Sequence, residues 1–425
     1  MPTLILLLSI LVLTFNRCAP ADNPAPPASS APTEEEVLAT ARGIHDRVLA
    51  LDTHVDIPFN YATEEVDPGK RGESQVDLPK MEEGGLDAAF FIVYVGQTAR
   101  TKPNYEKAKA DALTKFDAIH RMTEKMYPDR IELAHSADDV SRIHASGKLV
   151  AAIGIENGYV IGKDLSLLAK YHELGARYVT LAHGGHNDIA DSSTPQKGIG
   201  DAEEEHGGLS DFGREVVAEM NRVGIMVDVS HISKKAMLQA VEVSKAPVIG
   251  SHSSTRALAD VPRNMDDEQL RALAAKDGVM QTVALGAFVK NPPEKQAAMK
   301  KLFEELGISG MGELSSLAEA NRAVFDQKQK EIDARFPAAT VSDFVDHIDH
   351  AVEVMGIDHV GISSDFDGGG GIEGWNNAAE TFNVTHELVR RGYTEEQIAR
   401  LWSGNLLRVW REVERVAHRL QSGTE

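Results

Sequence analysis

His54 and Asp56 stand two residues apart, just beyond the apolar run Val48-Leu49-Ala50-Leu51. Side chains along a strand alternate, so an imidazole and a carboxylate at this spacing point to one side. That is half of a metal site, or a strand-end turn with an incidental histidine, and the triplet alone leaves both open. The same residue types recur behind later apolar runs: Glu156 after 150–155, His183 after 178–182, His231 after 225–229, His252 after 247–250 and Asp365 after 360–363. A single such histidine is more often a satisfied polar group than a ligand. Repetition at equivalent positions argues for a shared site.

Histidines and carboxylates with no usable cysteine suit a borderline or hard divalent cation, with zinc first and manganese or iron as alternatives. The number of donors implies two cations, and a carboxylate can bridge a pair about 3.5–4 Å apart. Glu156 is the natural bridge, because it is central in chain order and no lysine occupies a strand end to serve through carboxylation. His45, His120, His144 and His172 fall in helical or loop contexts and read as surface residues, while Asp367, followed by the glycines 368–371, reads as turn chemistry.

Positioning these side chains requires a repeated scaffold. With the runs 48–51, 90–95 and 279–283, the β-rich segments number eight, and helical patterns separate them, such as Ala108, Leu113, Phe116 and Ile119. Apolar strands alternating with helices predict an α/β fold, a closed (β/α)8 TIM-type barrel whose C-terminal face would gather the residues that follow the strands. The interval 292–337 is too long for a simple loop; Met299, Leu302, Phe303, Leu306, Leu317, Ala320, Val324 and Phe325 predict a helical insertion between the seventh and eighth strands, a candidate lid.

The 425 residues carry 44 basic and 65 acidic side chains, a net charge of −21, which excludes nucleic acid and charge-driven adhesion to anionic lipid. Residues 1–17 contain an apolar run, 3–13, that is too short to span a bilayer and is placed like an export signal, although no Lys or Arg precedes it. Cys18, the only cysteine, follows directly and is a candidate lipid anchor, with Phe15-Asn16-Arg17 a poor match to the small residues such a site prefers. The Pro/Ala/Ser-rich stretch up to residue 32 reads as a tether, and a single catalytic domain is expected over 33–425, opened by a capping box at Thr33 and Glu36. The expected location is extracytoplasmic, periplasmic or membrane-anchored.

From Leu51 to Trp410 the chain resembles the membrane (renal) dipeptidase family of binuclear zinc peptidases, within the amidohydrolase-like barrels. The carriers are Asp52-Thr53-His54-Val55-Asp56, Gly154-Ile155-Glu156-Asn157, Leu181-Ala182-His183, Val229-Ser230-His231, Gly250-Ser251-His252-Ser253, Arg263-Asn264 and Ser364-Asp365-Phe366-Asp367-Gly368. The resemblance implies that His54, Asp56 and Glu156 hold one zinc and that Glu156, His231 and His252 hold the other. It implies that His183 polarises the scissile carbonyl, that Arg263 grips the substrate's terminal carboxylate and that Asp365 moves protons. It further implies dipeptide hydrolysis by a metal-bridging hydroxide, tolerance of a D-residue at the C-terminal side, and a homodimer. The departure lies after the seventh strand, where Ala284-Leu285-Gly286-Ala287-Phe288 replaces the Asn and Tyr familiar from animal members. Two rivals remain: another amidohydrolase-like hydrolase of N-acyl amino acids, lactones or phosphoesters, and a non-catalytic binding barrel. His-x-Asp in place of His-x-His speaks against the first, and a complete ligand set against the second.

Overall fold

A strand buried on both faces can carry apolar side chains along most of its length, and the computed structural model, which describes residues 32–308, 310, 314 and 317–423, contains nine strands among these residues, most of them largely buried. The expected export signal, Cys18 and almost all of the tether lie outside them. In chain order the strands are β1 Leu51–Asp56, β2 Ala88–Tyr94, β3 Ile131–Leu133, β4 Leu149–Glu156, β5 Ala176–Thr180, β6 Met226–Asp228, β7 Ile249–Ser253, β8 Val279–Val283 and β9 Val360–Ser363. Eight of them pair in parallel in the order β1-β2-β4-β5-β6-β7-β8-β9, with helices between. Phe366, just past β9, pairs with Val55 of β1 and accepts a hydrogen bond from the Asp56 N–H at 2.9 Å, bringing the ends of the sheet together. This is the expected (β/α)8 architecture.

Several boundaries differ from the expectation; β7, for one, runs on through Ser253 and so includes His252. The three-residue β3 pairs only with β4, outside the barrel path, and is too short to leave an apolar pattern. The first strand begins at Leu51 rather than at Val48, so His54 and Asp56 belong to the strand itself.

Inward-facing Leu51, Phe90, Ile92, Tyr178, Met226, Ile249 and Val279 form one cluster with Leu406, Trp410 and Val413 of the C-terminal helix Asn405–Ser422. Trp410 lies 5.6 Å from the Phe90 ring, so this helix packs onto the apolar interior of the barrel, away from the strand ends that carry the polar residues. The capping box at Thr33 and Glu36 is present and opens the helix Glu34–His45. That helix corrects one expectation: His45 is buried, with Nδ1 2.8 Å from the Thr385 hydroxyl and Nε2 2.9 Å from the Gly84 carbonyl, because two polar ring atoms can be satisfied where the helix docks on its neighbours. His120, His144 and His172 are half-buried rather than free on the surface.

The insertion is helical as expected. Its helices Pro293–Leu306 and Glu319–Asp333 pack around Leu302, Phe325 and Ile332, a cluster separate from the barrel core, and are joined by Lys295 to Asp333 at 2.8 Å. Among the described residues this pair makes no hydrogen bond or ion pair to the site residues.

Candidate active site

The strand ends and the loops that leave them bring all eight expected side chains to one face of the barrel. Glu156 closes β4 at its centre, and its two oxygens serve different neighbours. Oε2 lies 3.5 Å from His54 Nε2; Oε1 lies 2.9 Å from His231 Nε2, 3.3 Å from His252 Nε2 and 3.5 Å from His183 Nε2. His54 Nε2 also faces Asp56 Oδ2 at 3.5 Å and Asp365 Oδ1 at 3.8 Å. Three groups therefore have ligand atoms within 4.8 Å of one another: His54, Glu156 and His252; Glu156, His183 and His231; His54, Asp56 and Asp365. Glu156 is common to two of them, and so is His54.

These donors fit a divalent cation on observations independent of their number. Tyr178 donates its hydroxyl to the Thr53 carbonyl at 3.0 Å and therefore accepts from His54 Nδ1–H at 2.9 Å, which directs Nε2 of His54 at the carboxylates. That Nε2 is buried without a hydrogen-bond partner among the described residues. Ser251 donates to Asp228 at 2.6 Å and accepts from His252 Nδ1–H at 2.8 Å, so Nε2 of His252 is likewise turned to Glu156. Such outer partners fix the tautomer and orientation of histidine ligands. Gly368 completes the cradle, since a Cβ there would lie 2.3 Å from Asp56 Oδ2 and 2.4 Å from Asp365 Oδ1.

Electrostatics divide the donors. Burial, together with the Arg263 charge, holds His231 well below the usual imidazole pKa; burial and the neighbouring His54 do the same for His252, which keeps both rings neutral and able to coordinate. Burial alone would raise Glu156, but His183, His54 and the contacts from His231 and His252 hold it well below the usual carboxylate range. Asp365 goes the other way, because burial and then the Asp56 and Glu156 carboxylates outweigh His54 and Arg263 and raise its proton affinity. A carboxyl that is ready to hold a proton beside an ionised one is the arrangement that acid–base work uses.

The chain turns sharply where it leaves the strands. Asn157, His231 and Asp365 take the left-handed backbone region at φ 82°, 67° and 59°, a costly conformation for residues with side chains that concentrates at functional sites. Arg263 is buried on the loop after β7, with one NηH donated to the His252 carbonyl at 3.1 Å, its guanidinium 5.2 Å from the Phe288 ring and its Nε without a partner among the described residues. It does not pair with Asp266 or Asp267, which are held by Lys234 and by His350 and Arg271. Phe288, in the segment that departs from animal members, thus stacks on Arg263. Asp367 accepts from the Gln75 and Val76 N–H groups at 2.8 and 3.2 Å, in keeping with turn chemistry.

Four contributors escaped the sequence reading. Tyr94 ends β2, one of two barrel strands for which no site residue is expected, and its ring lies 4.8 Å from that of His183. Tyr178 and Asp228 sit inside apolar strand runs, where a polar tip leaves no pattern. Gly154 makes room for Tyr178, whose ring would lie 2.2 Å from a Cβ at that position. Replacing Tyr178 with Phe leaves the His54 Nδ1–H unpaired, and metal affinity is expected to fall by roughly ten- to a hundred-fold. Competition with a chelator checks this, with a circular dichroism spectrum to show that the fold is kept; unchanged affinity would mean that the tyrosine does not orient the ligand.

The chain matches the membrane dipeptidase family, peptidase family M19, over residues 38–424. The dipeptidase tcpJ of Claviceps purpurea is 35% identical over 355 residues, covering 82% of this chain and 72% of the relative. An uncharacterized dipeptidase of Schizosaccharomyces pombe is 31% identical over 414 residues, covering 92% and 87%. Among solved structures, the probable dipeptidase PvdM from Pseudomonas aeruginosa superposes with a TM-score of 0.83 at 32% identity, covering 90% of this chain and 100% of that one. A metallo peptidase from Rhodobacter sphaeroides, liganded with a phosphinate mimic of the dipeptide L-Ala-D-Ala, shares the fold at a TM-score of 0.68 and 23% identity, covering 86% and 99%. A barrel with a cluster of histidines and carboxylates at its strand ends is the frame of a metal-dependent hydrolase. This chain belongs to the membrane dipeptidase family and is a metallopeptidase acting on dipeptides.

Proposed function

We propose that the chain is a two-cation dipeptidase, with zinc as the cation suited to its donors and both L,L- and L,D-dipeptides as substrates. The observation that supports it is the division of Glu156, one oxygen toward His54 at 3.5 Å and the other toward His231 at 2.9 Å and His252 at 3.3 Å. His54, Asp56 and Glu156 would hold one cation, and Glu156, His231 and His252 the other. Cations so held lower the pKa of water and draw electrons from a peptide carbonyl. His183 has its Nε2 on the Glu156 side of the cluster, where it can donate to the carbonyl oxygen as charge builds there. Asp365 accepts the proton released by the attacking water and returns it to the departing amine. Arg263 offers a planar guanidinium to the substrate's terminal carboxylate, which leaves space for one residue between that carboxylate and the scissile bond.

The test is a comparison of one dipeptide with its C-terminal amide and with a tripeptide that extends it. Efficient cleavage of the free dipeptide alone is the expected result; equal cleavage of all three would favour the broader hydrolase reading. We further propose, on the N-terminal sequence and the family resemblance, an exported homodimer with Cys18 as a candidate lipid anchor. Native mass spectrometry of membrane and soluble fractions reads both features, the expected species being a dimer of chains shortened at the N-terminus. A chain retaining Met1 would count against export, and a monomer against the dimer.

A further inference from the structure

A lysine ammonium is seldom buried without a counter-ion. Lys115, on the helix Lys102–His120, is only 4% exposed, yet among the described residues its side chain makes no hydrogen bond or ion pair. What surrounds it is aromatic: Nζ lies 5.1 Å from the centre of the Phe59 ring and 5.6 Å from that of Tyr94. Cation–π contacts of this kind hold an ammonium without using up its three N–H donors. Burial depresses the proton affinity of the group, while the carboxylates of Asp56, Glu156 and Asp111 oppose that effect.

Its place in the barrel gives the charge a direction. Tyr94, beneath the ammonium, ends β2 and touches His183. Arg263 lies on the far side, hydrogen-bonded to the carbonyl of His252 in β7. In the strand order β2 and β7 are separated by three strands either way, so they face each other across the cluster. A dipeptide whose terminal carboxylate rests on Arg263, with its peptide bond at Glu156, extends its N-terminal residue toward β2. The α-amine of that residue is cationic and gains nothing from an ammonium; an anionic side chain does. Phe59, 53% exposed, would line the approach.

Resting on the dipeptidase reading, we infer that Lys115 is a specificity-determining residue that receives a side-chain carboxylate on the N-terminal residue, so that the preferred substrates are dipeptides beginning with Asp or Glu.

The experiment compares pairs that differ only in charge, Glu-Ala with Gln-Ala and Asp-Ala with Asn-Ala, on the metal-loaded protein. Wild type is expected to favour the acidic member by about ten-fold or more in kcat/KM. Lys115→Met should bring that ratio near one, chiefly through KM, and Lys115→Arg should keep a preference. Calorimetric binding of L-glutamate against L-glutamine gives a second readout that needs no turnover, and metal content is measured for each protein. If Lys115→Met fails to fold or to hold metal, the wild-type ratio and the binding comparison decide. A wild-type ratio near one, or a ratio that Lys115→Met leaves unchanged, overturns the inference while cleavage of the neutral dipeptides keeps the dipeptidase reading. Cleavage of no dipeptide overturns both.

Discussion

Glu156→Gln is expected to release both cations together and to lower kcat/KM by about a thousand-fold or more. Among the described residues this carboxylate is the one whose oxygens face both sets of imidazoles, with Oε2 3.5 Å from His54 and Oε1 2.9 Å from His231. An amide of the same shape keeps one neutral oxygen and turns an NH2 toward the other set. It removes the negative charge that offsets two cations and presents a donor where a ligand is needed. Polarisation by a bound cation contributes several kcal/mol to transition-state stabilisation, and about 4 kcal/mol corresponds to a thousand-fold in rate. Glu156→Asp makes the contrasting case, since it keeps the charge but withdraws the carboxylate by one methylene, and it should retain more metal than Glu156→Gln. Elemental analysis of the two variants beside wild type reads the effect. Loss of a single metal from Glu156→Gln with persisting turnover would mean that Glu156 is not shared.

The second large effect is expected at Arg263. The residue is buried, its Nε has no partner among the described residues, and burial lowers its pKa to about 10, which still leaves it charged at neutral pH. A buried guanidinium with an open N–H awaits an anion. Removing one partner of such a contact costs on the order of 2–5 kcal/mol, so Arg263→Met should reduce kcat/KM on a free dipeptide by roughly thirty-fold or more. Blocking the substrate carboxylate as an amide should cost wild type a similar factor. The two changes delete one contact, so together they should cost little more than either alone, and the cycle of four measurements reports that coupling. Independent, multiplying losses would give Arg263 a different task, with its contact to the His252 carbonyl the first candidate.

The barrel and the gathering of histidines and carboxylates that could hold a metal were legible in the sequence because each rests on a strong local signal. A strand covered on both faces is apolar along its length, and a polar residue that ends it stands out, as His54, Glu156, His231, His252 and Asp365 do. What stayed hidden is what supports those ligands from within the strands. Asp228 closes β6 behind Ile225, Met226 and Val227 and orders His252 through Ser251, but in the sequence it sits inside the run 225–229, with Val229 after it. Tyr178 passes for a core aromatic, and Gly154 for a small residue in a strand, until their mutual fit is seen. The burial of His45 leaves no sequence signal, because helical context predicts exposure only where no neighbour docks, and the partners that satisfy it, Gly84 and Thr385, are distant in sequence. Lys115 is hidden for the same reason: on a helix a lysine normally faces solvent, and only the segment after β1 and the end of β2 bring Phe59 and Tyr94 over the ammonium.

The direct test of a dipeptidase built on Glu156 is a titration of metal-stripped protein with zinc, following hydrolysis of a free dipeptide at each step. Activity is expected to depend on two equivalents per chain and to reach its plateau at the second, with no turnover of the matching dipeptide amide. A plateau at one equivalent, or full hydrolysis before any zinc is added, would contradict it.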